Sequence, residues 1–510
     1  MTNPPEHAAT IVVGAGTSGA TLVGHLIEAG ERDVLLIEAG PDYGARGSST
    51  WPEELLDARA MPTSHDWGYT SDKTYPDRTV PFDRAKVIGG CSSHNSCVAI
   101  WGSHLDYEQL EHLVGKRWGR DSLEKQIPGI EDRMRLRRYQ QHQLSPFHEA
   151  FLAATANVGI PIVDDVNDLD QDEGASTFPV NIDTDGTRFN AAFAYVDPVR
   201  EHAELTVLGD ALVDRVLFEG STAVGVEVLI DGERTSISAD RVIISGGTYG
   251  TPGILMRSGI GPADHLRANE IDVLVDLPGV GANLHDHPAV WLHYAGSGQL
   301  ETQMADTIAA GWTPEEQSMV KLRSRHCDDG FDLHLYPMGG PDTPDGDGWH
   351  WVVPVANMRP LARGVVRLAD RNPETPLAID HNYLGDADGR DLAVLADGVR
   401  RAREITAAQP LTELIGAEIT PGDAARTDEE IAEFVRANVV HYYHPVGTCK
   451  MGTSDDAMAV CSNTGAVFGT SNLYVADCSL LPEIPRGNTN LPAVFIGATV
   501  AAALTAKELS

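Results

Sequence analysis

Thr10-Ile11-Val12-Val13-Gly14-Ala15-Gly16-Thr17-Ser18-Gly19 is the stretch on which the fold turns. Thr10 to Val13 reads as a short buried strand, and the glycine pattern GxGxxG follows it directly. A helix is expected from about Gly19 to Ala29, and a second strand from Asp33 to Glu38. In this strand–turn–helix–strand order the glycines have a mechanical meaning: a tight turn, close backbone approach to a pyrophosphate, and close helix packing. The free N–H groups and positive dipole end of the helix then face the phosphates. Glu38 falls where a carboxylate accepts hydrogen bonds from ribose hydroxyls, and it would repel a 2′-phosphate, which disfavours NADP. Gly14, Gly16, Thr17, Ser18, Gly19 and Glu38 are therefore candidate dinucleotide contacts. These residues alone do not separate FAD from NAD.

The 510 residues exceed one ordinary core, so two or more structural domains are expected. An apolar content of 42% and a charged content of 22% are those of a soluble globular protein. A net charge of −36 argues against nucleic acid or an anionic membrane as a partner, because both would repel the chain. The six cysteines, Cys91, Cys97, Cys327, Cys449, Cys461 and Cys478, show no repeated spacing, and neither CxxC nor HExxH points to a metal. Met1 to Thr10 has no secretory pattern, and the apolar run Leu491 to Ala506 is shorter than the roughly 20 residues that span a bilayer. A cytoplasmic enzyme is expected.

Further along lie five long motifs in order: Val34–Gly40 (VLLIEAG), Arg84–Trp101, with KVIGGCSSHNS at Lys86–Ser96, Val242–Pro262 (VIISGGTYGTPGILMRSGIGP), Pro278–Pro288 (PGVGANLHDHP) and His444–Gly452 (HPVGTCKMG). Together they resemble the glucose–methanol–choline (GMC) oxidoreductases over nearly the whole chain. The resemblance decides for FAD. It implies an α/β protein, with a Rossmann-like FAD-binding domain and an inserted α+β substrate domain built on an antiparallel sheet. The FAD-binding domain is expected over residues 1–145, 197–288 and 440–510, and the substrate domain over 146–196 and 289–439. Local signals agree: a loop at Pro337 to Gly348, strands within Arg363 to Asp380, and a helix over Asp391 to Ile405 with apolar Leu392, Leu395, Val399 and Ile405 on one face.

The same resemblance implies the site. Ala39, Gly89, Cys91, Asn95, Ser96, Val213 and Asp477 join the cofactor contacts, Asp477 being also readable as a strand-end turn residue. Loop Gly89–Ser96 is similar to that of members with a tethered flavin, so FAD is expected to be covalently attached through His94. An alkylated imidazole on the ring withdraws electrons and eases hydride acceptance. His444 matches the catalytic histidine, whose ordinary pKa near neutrality suits it to take an alcohol proton. His441, the competing histidine, is expected to pack. Asn490, preferred to Asn488 by counting back from Pro492-Ala493-Val494-Phe495, is expected to hold the substrate oxygen and to cap a C-terminal helix with Pro492 in its first turn. Tyr443 is a candidate substrate contact.

The implied reaction is oxidation of a primary alcohol to an aldehyde, with hydride transfer to flavin N5 and molecular oxygen as acceptor, giving hydrogen peroxide. Choline-oxidising members carry an acid after the DHP triplet. Here Asp286-His287-Pro288 is followed by Ala289, so a neutral or aromatic small-molecule alcohol is expected instead. Trp67, Trp291, Trp349 and Trp351 are candidates for an aromatic pocket. A dehydrogenase passing electrons to a quinone or protein, and a hydroxynitrile lyase with structural flavin, are the alternatives. A homodimer is compatible with all of them.

Overall fold

The structure is a computed structural model describing residues 4–59, 61–71, 75, 78–311, 316–340 and 349–505. Two large sheets organise it. In the first, strand His7–Val13 lies between Val34–Ile37 and Glu233–Ile244, and both pairings are parallel. Leu205–Leu208 extends one side, and Leu473–Val475 pairs in parallel with Glu233–Ile244. Thr222–Ile230 and Ala211–Glu219 continue as an antiparallel edge. Val34–Ile37 (VLLI) reads as an unbroken apolar run, as a strand covered on both faces must. Val34, Leu35, Leu36 and Ile37 are all buried.

Helix Thr17–Glu28 follows the first strand and is buried along nearly its whole length. Its outer side meets the C-terminal helix Asn490–Thr505, which is apolar all round. Ser18 Oγ donates to the Ala493 carbonyl at 2.8 Å, so residues 475 apart in sequence are locked together. Leu22, Val23 and Leu26 are fully buried in this layer, each contributing about 1.5–3 kcal/mol of hydrophobic stabilisation.

The second sheet is antiparallel throughout, in the order Ile415–Thr420, Ala289–Gly296, His350–Asn357, Leu333–Leu335, Ser318–Leu322 and Gly174–Thr177. Helix Arg390–Thr406 covers it, placing Leu395, Val399 and Ile405 inside while Leu392 is only partly covered. Val365–Arg367 and Ala378–Asp380 form a two-stranded ribbon in the region expected to hold strands. The expected loop at 337–348 is different at its start. Met338–Gly340 pairs with the strand His350–Asn357, Gly339 opposite Trp351, and 341–348 lie outside the described residues. Dense Pro, Gly and Asp at 341–348 masked this short edge strand. No helix among the described residues is long and apolar enough to cross a membrane.

Candidate active site

A cavity of about 710 Å³ runs from the first GxGxxG turn to the segment Tyr442-Tyr443-His444-Pro445. That size is ordinary for a cofactor and substrate together. At its nucleotide end Gly14 has φ +97°, and a side chain there would collide with the Ser245 carbonyl. Gly16 caps the helix Thr17–Glu28 with no side chain bonded to its free N–H groups, which leaves them for an anion. Gly90, at φ +53°, brings the second glycine loop onto the first: a Cβ there would lie 2.6 Å from the Gly16 Cα. The two loops thus touch backbone to backbone.

Glu38 ends the second strand and is buried. One carboxylate oxygen accepts from Ala15 N at 2.9 Å and the other from Gly40 N at 2.9 Å. Burial pushes its pKa up to about 7. Each oxygen keeps a lone pair, so hydroxyl donors from a ribose would satisfy it. Asp477 accepts from Gly247 N at 2.9 Å, Thr251 Oγ1 at 2.5 Å and Ser479 N at 2.8 Å. It therefore has both expected roles within reach: it ends its strand in a capped turn and lies on the cavity wall. Uncapped helix N–H groups, a glycine cradle and a buried carboxylate fit a dinucleotide at this end.

Of the expected cofactor contacts, Gly14, Gly16, Thr17, Ser18, Glu38, Ala39, Cys91, His94, Asn95, Ser96, Val213 and Asp477 line this one cavity. Gly19 and Gly89 stand behind it. Gly19 packs against the Gly14 carbonyl, and Gly89 N donates to the Ala15 carbonyl at 2.8 Å. His94 ends a short 3₁₀ turn, Gly90–Ser93, and its Nε2 lies 2.7 Å from the Ser64 carbonyl oxygen. That contact puts the proton on Nε2 and leaves Nδ1 with its lone pair. Burial holds the ring neutral by lowering its pKa.

At the chemical end stands His444. Its backbone N–H donates to Asp286 Oδ1 at 2.9 Å, and its Nδ1 lies 3.0 Å from Nδ1 of His287. One of these two nitrogens must donate. The carbonyl of Pro485 sits on the far side of His287 and favours a proton there, although short of full hydrogen-bond geometry. His287 then accepts at Nδ1, His444 donates from Nδ1, and the His444 Nε2 lone pair is free. Burial, then the neighbouring His287, Arg84, His334 and His441, hold the His444 pKa well below its ordinary value. His287 was not singled out from the sequence, although the DHP triplet that contains it was.

Tyr443, the residue before, adopts φ +66°, a conformation that L side chains seldom take and that costs on the order of 1–3 kcal/mol. Both terminal nitrogens of Arg84 donate to its carbonyl at 3.1 Å. This pins the kink that turns His444 to the cavity. Arg84 is thus a second residue the sequence reading passed over, although it stands inside a quoted motif. His441 is not on the cavity wall. It packs edge-on against Tyr443 at 4.3 Å and Phe82 at 5.4 Å.

The two asparagines sit differently from the expectation. The C-terminal helix begins at Asn490 itself, and Ala493 N bonds to the Thr489 carbonyl, so the cap lies one residue earlier. Asn490 Oδ1 accepts from Thr17 Oγ1 at 2.9 Å, which ties it to the nucleotide loop with its Nδ2 buried and unpartnered. Asn488 lines the same wall with a buried, unpartnered Oδ1.

Among the tryptophans, Trp67 and Trp291 line the cavity, and Trp349 and Trp351 do not. Trp351 is fully buried and stacks on Phe147 at 4.0 Å, with Trp349 stacked on it at 5.5 Å. Tyr336, Met338, Tyr442 and Glu316 complete the wall beside Trp291. Glu316 gave no sequence signal, being one acid among 74 aspartates and glutamates. Ala289 is fully buried in its strand and away from the wall.

The chain matches the family models described as GMC oxidoreductase, the N-terminal one over residues 8–289 and the C-terminal one over 360–497. It is 33% identical to choline oxidase of Arthrobacter globiformis, covering 96% of this chain and 92% of that one. It is 32% identical to the mitochondrial choline dehydrogenase of Homo sapiens, covering 95% and 88%. Among solved structures it resembles pyridoxine 4-oxidase from Mesorbium loti, with a TM-score of 0.85 and 25% identity over 98% and 99% of the two chains. The fold is also that of a formate oxidase, at a TM-score of 0.86 and 23% identity over 99% of each chain.

Proposed function

This chain belongs to the GMC oxidoreductases, FAD-dependent enzymes that act on alcohols, and from that premise we propose that it oxidises a small primary alcohol to an aldehyde with oxygen as acceptor. The observation that carries this reading is the His287–His444 pair, which frees a neutral Nε2 on the wall of the cavity that holds the dinucleotide cradle. When bound, FAD supplies the hydride acceptor and returns the electrons to oxygen as hydrogen peroxide.

The residues do the rest. His444 Nε2 takes the hydroxyl proton, and the field of a buried site makes donors to the developing alkoxide count for more than they would in water. Asn490, as read from the sequence, offers Nδ2. Asn488 has the better claim, since Thr17 already holds Asn490 and Asn488 stands on the same wall with its own Nδ2 as a donor. Tyr443 contributes its ring to the substrate end. We assign the strands of the parallel sheet to the FAD-binding domain and those of the antiparallel sheet to the substrate domain, with the boundaries given above.

The tether to His94 belongs to the same proposal. Its support is His94 on the cavity wall with one ring nitrogen engaged by Ser64 and the other open. The purified protein should stay yellow after acid precipitation, and His94→Ala should release free FAD into the supernatant. Colour lost entirely from the wild-type pellet would remove the tether and leave FAD as a dissociable cofactor.

For the substrate, Trp67, Trp291, Tyr336, Met338 and Tyr442 support a neutral or aromatic alcohol, and position 289 carries no acid. A cationic alcohol has one observation of its own, Glu316 on the same wall. A panel of alcohols is to be screened for anaerobic bleaching of the flavin, followed by admission of air. A neutral alcohol should exceed choline by at least tenfold in kcat/KM, which is about 1.4 kcal/mol. If choline wins and Glu316→Gln abolishes its advantage, the substrate is the cation. Bleaching that air does not reverse, though a quinone does, would make the enzyme a dehydrogenase. No bleaching by any alcohol would leave the lyase reading.

A further inference from the structure

The segment that carries His444 is a bulge. Reciprocal backbone hydrogen bonds join Ala289 to Val440, both at 2.8 Å, and His285 to Val446, at 3.0 and 2.9 Å. The two stretches therefore run antiparallel and are fixed at both ends. Between these ties Asp286-His287-Pro288 faces His441-Tyr442-Tyr443-His444-Pro445. The longer side cannot continue the ladder and has to bow away from the shorter one. Tyr443, with its positive φ, stands at the bend. The bow goes toward the cavity: Tyr442, Tyr443, His444 and Pro445 line it, and Asp286, His287 and Pro288 do not.

A peptide that leaves a ladder loses its partners and must find others. The peptide between Tyr443 and His444 finds them in two side chains of opposite charge. Both terminal nitrogens of Arg84 donate to the Tyr443 carbonyl at 3.1 Å, and the His444 N–H donates to Asp286 Oδ1 at 2.9 Å. Asp286 is buried, and its other oxygen accepts from the Tyr383 hydroxyl at 3.1 Å. Tyr383 is braced in turn. It stacks on His381 at 4.8 Å, inclined by 10°, and His381 Nε2 lies 2.8 Å from the Tyr249 hydroxyl. A buried carboxylate is a costly way to satisfy one backbone N–H. What it gains is placement, because the next residue, His287, holds the His444 ring through its Nδ1 at 3.0 Å. Two adjacent residues thus grip the backbone and the ring of the same histidine.

We infer that Asp286 is a positioning residue for the base: with Arg84 opposite it and Tyr383 behind it, it clamps the Tyr443–His444 peptide and so fixes where His444 Nε2 meets a substrate hydroxyl. The inference rests on the reading of His444 as the base. Neither Asp286 nor Tyr383 is on the cavity wall, so their effect on the reaction runs through this peptide. Arg84 is on the wall, which makes Asp286 and Tyr383 the cleaner probes. A displacement of about 1 Å at a reacting group costs on the order of 100-fold in rate, so a loosened clamp has a measurable consequence.

The test compares wild type, Asp286→Ala, Asp286→Asn and Tyr383→Phe as loaded enzymes, each alone and combined with His444→Ala. The first readout is anaerobic flavin reduction by benzyl alcohol, or by whichever alcohol leads the panel above. Asp286→Ala should lower the limiting rate by about 10–100-fold with KM within about threefold of wild type. Asp286→Asn keeps an acceptor oxygen and should recover most of that loss. Tyr383→Phe should cost about three- to tenfold, since it frees Asp286 without removing it. In the His444→Ala background each substitution should change the remaining rate by less than about twofold, because a residue that acts through His444 has nothing left to act on. The second readout is hydrogen exchange of the segment around His444. Its amide should exchange at least about tenfold faster in Asp286→Ala and keep its protection in Asp286→Asn.

An equal further loss of rate in the His444→Ala background overturns the inference, as does a loss confined to KM or a wild-type rate in Asp286→Ala. If Asp286→Ala does not fold, Tyr383→Phe decides, and a wild-type rate with unmoved exchange in that variant overturns the inference. The reading of His444 itself fails on a different observation, near-normal turnover in His444→Ala alone, so the two failures are distinguishable.

Discussion

His444→Ala should slow anaerobic flavin reduction by about two to four orders of magnitude, the range that a positioned general base supplies. The loss follows from geometry, because neither imidazole packed beside it is placed to replace it. His441 packs away from the cavity against Phe82 and Tyr443, and His287 is spent on the Nδ1 contact. The pH dependence has a definite sign. Neutral His444 is the competent form, and burial holds its pKa well below 6.5, so the wild-type rate should stay nearly level from pH 8 down to 6.5. The amides should cost less, about 10–100-fold for a hydrogen bond to a charged oxygen. Asn488→Ala should be the more severe of the two in reduction rate, and Asn490→Ala should act through cofactor retention by freeing Thr17. Stopped-flow reduction of the three variants decides it. A rate in His444→Ala close to wild type would move the base elsewhere.

Arg486→Met should destabilise the fold by about 3–5 kcal/mol, the cost of leaving a buried partner charge uncompensated. Arg486 is fully buried and ties two distant parts of the chain to its own segment. Its Nη1 meets Asp106 Oδ1 at 2.6 Å, Nη2 meets Asp329 Oδ1 at 2.5 Å, and Nε donates to the Phe331 carbonyl at 2.8 Å. Asp106 is also committed as the capping acid of the helix His104–Val114, accepting from Ser103 N. Without the guanidinium it remains buried with its charge. Thermal unfolding should show a lower Tm and a smaller soluble yield, and Asp106→Asn in the same chain should recover part of the loss. A Tm unchanged by Arg486→Met would show that the network is dispensable.

What the sequence made legible was whatever local chemistry dictates. Gly14, Gly16 and Glu38 announced a strand, a tight turn and a buried acid at the end of the second strand, because each needs its residue type whatever the rest of the chain does. Helix Arg390–Thr406 showed through its apolar spacing. The partners of His444 were less accessible. His287 reaches it from 157 residues away and Arg84 reaches Tyr443 from 359, and nothing in the spacing of either segment reports such a meeting. The choice between Asn488 and Asn490 depended on Thr17, a residue on the opposite end of the chain. Trp349 and Trp351 misled in the other direction, since an aromatic residue looks the same in a core as on a cavity wall. The family assignment rested on long ordered motifs, and the matches over 8–289 and 360–497 carry it.

The order of strands in the parallel sheet sets a schedule for synthesis. His7–Val13 emerges from the ribosome well before its neighbour Glu233–Ile244, which follows more than two hundred residues later. Leu473–Val475, which flanks that neighbour, follows after another two hundred residues and more, and so does the helix that locks onto Ser18 and Thr17. At about 5–20 residues per second the nascent chain waits on the order of tens of seconds with its nucleotide loop half-walled. Closure around the nucleotide loop therefore waits on Leu473–Val475 and the helix Asn490–Thr505. A chain cut before Leu473 would have nearly every motif and no closed place to keep a flavin.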